Sequence, residues 1–296
     1  MITIRPAVPE ELPQLKDLWR KCFGDPSTYV DIFYQKFCPV EQVLVVDEVG
    51  ELDSMAAMLP GTVHLPDGTD IPVGYVYALA TNPYMQGKGH ARQLLKYADE
   101  YLQKRGDKAM ILVPASPSLH RFFETVGMDE CFATRKVEFL ASSLTGDTGG
   151  GVMTPVAPRE YNEIRESYLK DTFHVTYSDN MITFQQIGSH MAYGDLYKIE
   201  VDGVVGCAAI EYVQKRRLLT KELLIPHAQM GKAVETIAKE MEASRYHIRT
   251  PAFWDGLSGS YTQAFGNAGC FRICDTTEHD PVRGSWPGIY HCGEKY

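Results

Sequence analysis

Apolar residues recur every three to four positions along the stretch from Pro9 to Cys22. Leu12, Leu15, Leu18, Trp19 and Cys22 share one stripe, which predicts a helix with that stripe facing inward. Ile2–Arg5 reads as a strand before it. Val43–Val46 and Ser54–Leu59 form a predicted hairpin around Val49-Gly50, and Val73–Ala80 is a fourth strand rich in β-branched and aromatic residues. Helical spacing returns at Ala91, Leu94, Leu95, Ala98 and Leu102, with Gly106 as a left-handed cap. Lys108–Val113 is a short apolar strand, and Ser116-Pro117 supplies an N-cap and a first-turn proline for the helix that carries His120 to Val126. Residues 1–140 therefore read as strand, helix, helix, three strands, helix, strand, helix, strand, an α/β pattern of the α+β mixed-sheet kind.

Ser142 to Gly151, ending in Gly149-Gly150-Gly151, is a linker by composition. Beyond it the opening pattern returns at a constant offset, with Pro158, Ile164 and Tyr168 in the places of Pro9, Leu15 and Trp19. Leu196–Val201 and Val204–Tyr212 flank the turn pair Asp202-Gly203, and Glu222–Ile225 is a strand. A helix follows with Met230, Ala233, Val234, Ile237, Ala238 and Met241 inward, and Tyr246–Arg249 is the next strand. The second half, residues 152–296, looks like a degraded copy of the first, residues 1–141.

The junction between the fourth strand and its helix holds the chemistry: Leu79-Ala80-Thr81-Asn82-Pro83-Tyr84-Met85-Gln86-Gly87-Lys88-Gly89-His90-Ala91. Gly87 and Gly89 let the backbone pass close to a ligand. The first helical N–H groups are unpaired and carry partial positive charge, which suits a diphosphate. The loop is not a Walker motif, since His90 follows Gly89, and it lacks the third glycine of a dinucleotide fingerprint. At the corresponding junction of the second half, Ile225-Pro226-His227-Ala228-Gln229-Met230-Gly231-Lys232, one glycine remains, so a phosphate cradle is missing there.

Gln86, Gly89 and Ala91 match the coenzyme A motif Arg/Gln-x-x-Gly-x-Gly/Ala of the GCN5-related N-acetyltransferase (GNAT) superfamily, and Phe122-Phe123-Glu124-Thr125-Val126-Gly127-Met128 echoes its Leu-Tyr-Glu-x-x-Gly-Phe segment. Over residues 1–140 the chain resembles that superfamily. With its second half, it is similar in arrangement to tandem members such as the Eis-like acetyltransferases, though too short for their third domain. The resemblance implies two acyl-CoA N-acyltransferase folds in tandem, of which the first is catalytic. It also implies acetyl-CoA as cosubstrate, held by Gln86, Gly87, Lys88, Gly89, His90 and Ala91, by main-chain groups at Leu79, Ala80 and Thr81, and by Ser116 and Phe123. The side chains of Lys88 and His90 either reach phosphate or point to solvent.

Composition narrows the class. A chain of 296 residues with 44% hydrophobic content fits two domains. No uninterrupted apolar run approaches the ~18 residues of a membrane span, and the N-terminus lacks a secretory pattern. Seven scattered cysteines point to reduced thiols in a cytoplasm. A net charge of −9 argues against nucleic acid as a partner and would mildly attract a cationic amine. Association of the chain with itself stays open.

Acetyl transfer requires a neutral amine and relief of charge on the departing sulfur. Relatives place a tyrosine at the position of Phe123 to protonate that sulfur, and phenylalanine has no proton to give. A thiol of pKa near 8.5 leaves as thiolate at pH 7 at a cost of about 2 kcal/mol, whereas deprotonating an amine of pKa near 10.4 costs about 4.6 kcal/mol, so the base matters more than the acid. His120, Ser116 and Tyr84 are alternative donors. The position of the base glutamate found in some relatives falls on Tyr75. With Tyr77 and Leu79 it alternates along one strand face, so both phenols border the acceptor cleft or else pack as half-buried strand residues. The terminal carboxylate of Tyr296 is another candidate base, by analogy with the Eis-like enzymes. Cys270, Cys274, His279, His291 and Cys292 have no second tight ligand pair and read as ordinary residues rather than a zinc site, so no metal is expected. Cys22 and Cys131 lie in no nucleophile motif, which leaves direct attack in a ternary complex. The expected reaction is N-acetylation of a primary amine on a small molecule or peptide. The rival reading, which the missing tyrosine favours, is an acyl-CoA-binding pseudoenzyme with a regulatory or assembly role.

Overall fold

The computed structural model describes residues 2–144, 150–214, 216–251 and 262–273. Strand β1 (Ile2–Pro6) leads through a 3-10 turn at Pro9–Glu11 into helix α1 (Leu12–Phe23). The proline at the start of the expected helix therefore sets a tighter first turn. Leu15, Leu18 and Trp19 are buried as the periodicity predicts, Leu12 and Cys22 flank them, and Gly24 ends the helix at φ 68°. Helix α2 (Ser27–Ile32) runs on into a π turn at Phe33–Phe37. Strands β2 (Val43–Glu48) and β3 (Glu51–His64) are longer than the apolar pattern predicted. They join through Val49 at φ 58° and Gly50 at φ 88°, two positive values that match the right-handed twist of a tight hairpin. The half is completed by β4 (Asp70–Thr81), α3 (His90–Arg105), β5 (Ala109–Leu112), α4 (Pro117–Glu124) and β6 (Asp129–Leu140).

Of the expected linker, Ser142 and Ser143 belong to a 3-10 turn, and residues 145–149 lie outside the described residues. The second half contains β7 (Val152–Pro155), α5 (Pro158–Leu169), β8 (His174–Thr176), α6 (Asp179–Met191), β9 (Asp195–Val201), β10 (Val204–Gln214), β11 (Arg217–Leu224), α7 (His227–Glu240), β12 (Arg245–Pro251) and β13 (Thr262–Ile273).

The strands form one sheet in the order β1-β2-β3-β4-β5-β13-β6-β12-β11-β10-β9-β7, with β8 attached to β3. Each half contains one parallel pair joined by a helix, β4–α3–β5 and β11–α7–β12. The repeat inferred from sequence is thus visible as topology. The final strands are exchanged, however: β13 pairs with β5 of the first half, and β6 pairs with both β13 and β12. A division at residues 141 and 152 separates the helices of the halves but not their strands.

One face of the sheet carries α1, α2, α5 and α6 over a core that is continuous between halves. Phe184 from α6 reaches Tyr29 and Phe37, with ring centroids 5.2 and 4.7 Å apart, and Phe132 stacks on Phe173 at 5.1 Å. Each such aromatic contributes about 1.5–3 kcal/mol by burial, so this seam is cemented. The opposite face has two separate cores, one under α3 and α4 with Leu94, Leu102 and Phe123, and one under α7 with Val137, Val234 and Ile248.

Candidate active site

Strand β4 is where the site begins. It pairs with β3 along its length but with β5 only over Val73–Tyr75, so beyond Tyr75 the two parallel neighbours part. Two β4 residues, Ala78 and Leu79, oppose the single β3 residue Ala56, and Ala78 sits at φ 51°. That bulge re-aims the strand's end and shifts its side-chain phase. Tyr75 and Tyr77 face the core shared with α1, but Leu79 packs on the α3 side, so the expected alternation of all three on one face is corrected by the bulge. Ala80 returns to the Tyr77 side. At the strand end, the Thr81 carbonyl accepts from Cys22 Sγ at 3.4 Å and from Gln86 Nε2 at 3.5 Å, while Thr81 Oγ1 is 2.9 Å from Ser54 Oγ.

The chain then makes a 3-10 turn at Pro83–Met85, whose Asn82 side chain accepts from the Tyr84 amide, and enters the glycine loop. Gly87 (φ 80°) and Gly89 (φ 82°) are both left-handed, and a Cβ on either would meet nothing closer than Gln93 Nε2 at 4.0 Å. Space is therefore open above them, and their positive φ is the reason they are glycine. The Gln93 amide bonds back to the Gly89 carbonyl at 3.1 Å, so the amides of His90, Ala91 and Arg92 form the unpaired first turn of α3. Gln86, Gly87, Lys88 and Gly89 are exposed and Ala91 is half-buried; Lys88 Nζ lies 3.3 Å from Met85 Sδ. These are the features an anion needs, namely an open cradle, donors and a helix start.

His90 departs from both sequence expectations. Its ring is 3% exposed, directed neither to the loop surface nor to solvent, and its Nδ1 lies 3.7 Å from Oδ2 of Asp53, itself 3% exposed on β3. Burial pushes the Asp53 carboxyl up, against the opposing pull of His90. Phe123 is 5% exposed in the core beneath α3, edge-on to Phe122, and presents no polar group to a leaving sulfur. Ser116 stands at the N-cap of α4, yet its hydroxyl pairs with Ser118 Oγ at 2.9 Å rather than capping an amide. His120 is half-buried on α4, and the Tyr84 side chain is 90% exposed. Tyr75 is fully packed, whereas the Tyr77 hydroxyl lies 2.8 Å from that of Tyr29, a residue absent from the sequence reading. Tyr296, Cys274, His279, His291 and Cys292 lie outside the described residues. Among the described residues no three His, Cys, Asp or Glu side chains group as a metal site, and no helix is long and apolar enough to cross a membrane.

Residues 3–125 match the family model described as an acetyltransferase (GNAT) domain. The first part of the chain is thus similar to a GNAT domain. Across nearly its whole length the chain is similar in fold to several solved proteins. A GCN5-related N-acetyltransferase from Anabaena variabilis is 15% identical over 93% of this chain and 73% of that one, with a TM-score of 0.72. Eis1 from Mycobacterium abscessus is 12% identical over 92% and 74%, with a TM-score of 0.64. A tandem GNAT protein from the clavulanic acid biosynthesis pathway is 10% identical over 94% and 100%, with a TM-score of 0.53. No curated protein matches the chain by sequence.

Against the first half, the second keeps the strand geometry and loses the loop. Strand β11 pairs with β12 only over Arg217–Thr220 and bulges at Lys221, as β4 does at Ala78. Only Ile225 and Pro226 separate β11 from α7, so no room remains for a glycine cradle. Glu222, the residue after the bulge, is buried and accepts from Tyr161 Oη at 2.7 Å and from Arg165 Nε at 3.2 Å; Arg165 Nη2 also donates to the Val175 carbonyl at 3.0 Å. Lys221 pairs with buried Glu211 at 2.7 Å. Buried ion pairs therefore flank the β11 bulge.

Proposed function

We propose that the protein is an acetyl-CoA-dependent N-acetyltransferase acting on a primary amine of a small molecule or peptide, with chemistry confined to the first half. The observation that carries this reading is the pairing of two features on one chain segment: β4 parts from β5 after Tyr75, and the same strand delivers an open two-glycine loop to the start of α3. Acetyl-CoA would supply the activated thioester. The amides from Gly87 to Ala91 would hold its diphosphate, and main-chain groups of Leu79, Ala80 and Thr81 would pair with its pantetheine arm. Amides re-aimed by the Ala78 bulge would donate to the developing oxyanion, a contribution of roughly 3 kcal/mol.

The amine would attack the thioester carbonyl from the α1–α2 side of β4, where Tyr77 and Tyr29 form a hydroxyl pair suited to relaying the proton it loses. With Phe123 in the core, the sulfur would leave as thiolate. The second half would serve as a structural partner, its counterpart of the coenzyme strand being filled by Tyr161, Arg165 and Glu222. A second reading, an acyl-CoA-binding pseudoenzyme, is favoured by that same Phe123. Two measurements test them. A melting shift with acetyl-CoA is expected under both readings, and its absence removes both. Thiol release across a panel of amines is expected only of the enzyme, and silence with every amine leaves the sensor.

A further inference from the structure

Beneath the glycine loop lies a pair of ionisable side chains that the proposed reaction does not use. Asp53 and His90 are each 3% exposed, and Asp53 Oδ2 and His90 Nδ1 have no hydrogen-bond partner. At 3.7 Å they face each other just beyond bonding distance. An orphaned buried acceptor beside an orphaned buried ring nitrogen is costly and rare, and calls for an explanation. Its location offers one. Asp53 anchors the entry to the loop, since its carbonyl accepts from the Asn82 amide at 2.8 Å and the next residue, Ser54, bonds Thr81 at 2.9 Å. His90 is the first residue of α3 and so forms the loop's exit. The pair therefore spans the two ends of the cradle from below.

We propose that Asp53 and His90 are positioning residues that set the coenzyme loop and take up a proton when a diphosphate occupies the start of α3. The inference rests on the coenzyme reading above. At 3.7 Å no hydrogen bond joins the facing atoms, Asp53 Oδ2 and His90 Nδ1. A diphosphate bound at the amides directly above adds negative charge nearby, which raises the proton affinity of both groups. Gaining one proton gives the pair a hydrogen at the facing atoms and lets the gap close into a charge-assisted bond. The other charged groups that face Asp53 are Glu48 on β2 and Lys88 in the loop. Glu48 adds to the local negative charge and also shares a side-chain hydrogen bond with Asp53, and Lys88 partly offsets the charge.

The test measures coenzyme A binding to the full chain by calorimetry from about pH 6 to about pH 8, in buffers of different ionisation enthalpy, for the natural protein, His90→Gln and Asp53→Asn. Linkage sets the expected sign: affinity tightens as pH falls, by up to about tenfold per pH unit for one proton. The ligand's own phosphate titration is common to all three proteins. The natural protein is therefore expected to take up more protons than either variant, with a steeper pH slope. A purely structural role would weaken binding by the same factor at every pH, and equal slopes in all three proteins overturn the proposal. If the variants do not fold, histidine NMR of the natural protein decides: the His90 ring must gain a proton on adding coenzyme A, and an unchanged ring overturns the idea. Failure of coenzyme A to bind the natural protein sinks the coenzyme reading as well, whereas binding with no proton uptake sinks only this inference.

Discussion

Helix α3 has a left-handed glycine at each end, and the two make a matched experiment. Gly89 (φ 82°) precedes the helix at the loop and Gly106 (φ 100°) follows it. A methyl group at Gly106 meets nothing within 4 Å, and at Gly89 only Gln93 Nε2 at 4.0 Å. Neither substitution by alanine clashes, so each pays the left-handed strain alone, about 1–2 kcal/mol. Gly89→Ala and Gly106→Ala should therefore melt alike without ligand. Acetyl-CoA at a hundred times its dissociation constant stabilises the natural protein by about 2.7 kcal/mol, and a tenfold loss of affinity at the same concentration reduces that to about 1.4 kcal/mol. In a chain of this size the full effect is roughly a 5 °C shift. The shift should be retained in Gly106→Ala and fall to about half in Gly89→Ala, because only the methyl at residue 89 stands where a phosphate must approach the amides. Thermal scans with and without acetyl-CoA read both quantities. If Gly106→Ala loses the shift equally, the helix as a whole rather than the cradle governs binding, and the reasoning fails.

Arg165→Met should cost about 3–5 kcal/mol in urea unfolding, because it leaves Glu222 charged and buried without its partner; Arg165→Met with Glu222→Leu should recover part of that loss. Phe123→Tyr should not raise the rate of thiol release and should lower stability by about 1–3 kcal/mol, since the new hydroxyl enters an apolar core. In pH-dependent unfolding, Glu11 is held below its ordinary value of 4.5 by the Arg5 guanidinium, and Asp47 below 3.8 by the Gly50 amide and then Arg5. Depressed carboxylates contribute stability that is present above those values and lost as pH falls below them. Arg5→Met should flatten that acid limb and leave the neutral region's slope unchanged.

The fold was legible where periodicity is local. The inward stripes of α1, α3 and α7 and the turns at Val49-Gly50 and Asp202-Gly203 follow from residues adjacent in sequence. The loop was legible because positive φ leaves glycine as its mark. The bulge at Ala78 was not, since an alanine at φ 51° carries no such mark and only its pairing with Ala56 forces it. The phase of Leu79 was misread for the same reason. Asp53 was the one detectable signal missed: an acid inside Leu52-Asp53-Ser54-Met55-Ala56-Ala57-Met58 is anomalous in an apolar run and hints at a buried partner. That the partner is His90 depends on how α3 lies over β3, which no local pattern encodes. The exchange of β6 and β13 was hidden likewise, because pairing between segments far apart in sequence leaves no periodic trace.

That placement of β13 bears on how the chain is born. Strands β5 and β6 leave the ribosome early, yet the segment that belongs between them is made only after every element up to β12. Until it arrives, the nascent first half holds two unsatisfied strand edges side by side, the kind of surface that recruits chaperones or neighbouring chains. A premature stop after β12 would thus remove not a dispensable tail but the middle of the first half's sheet.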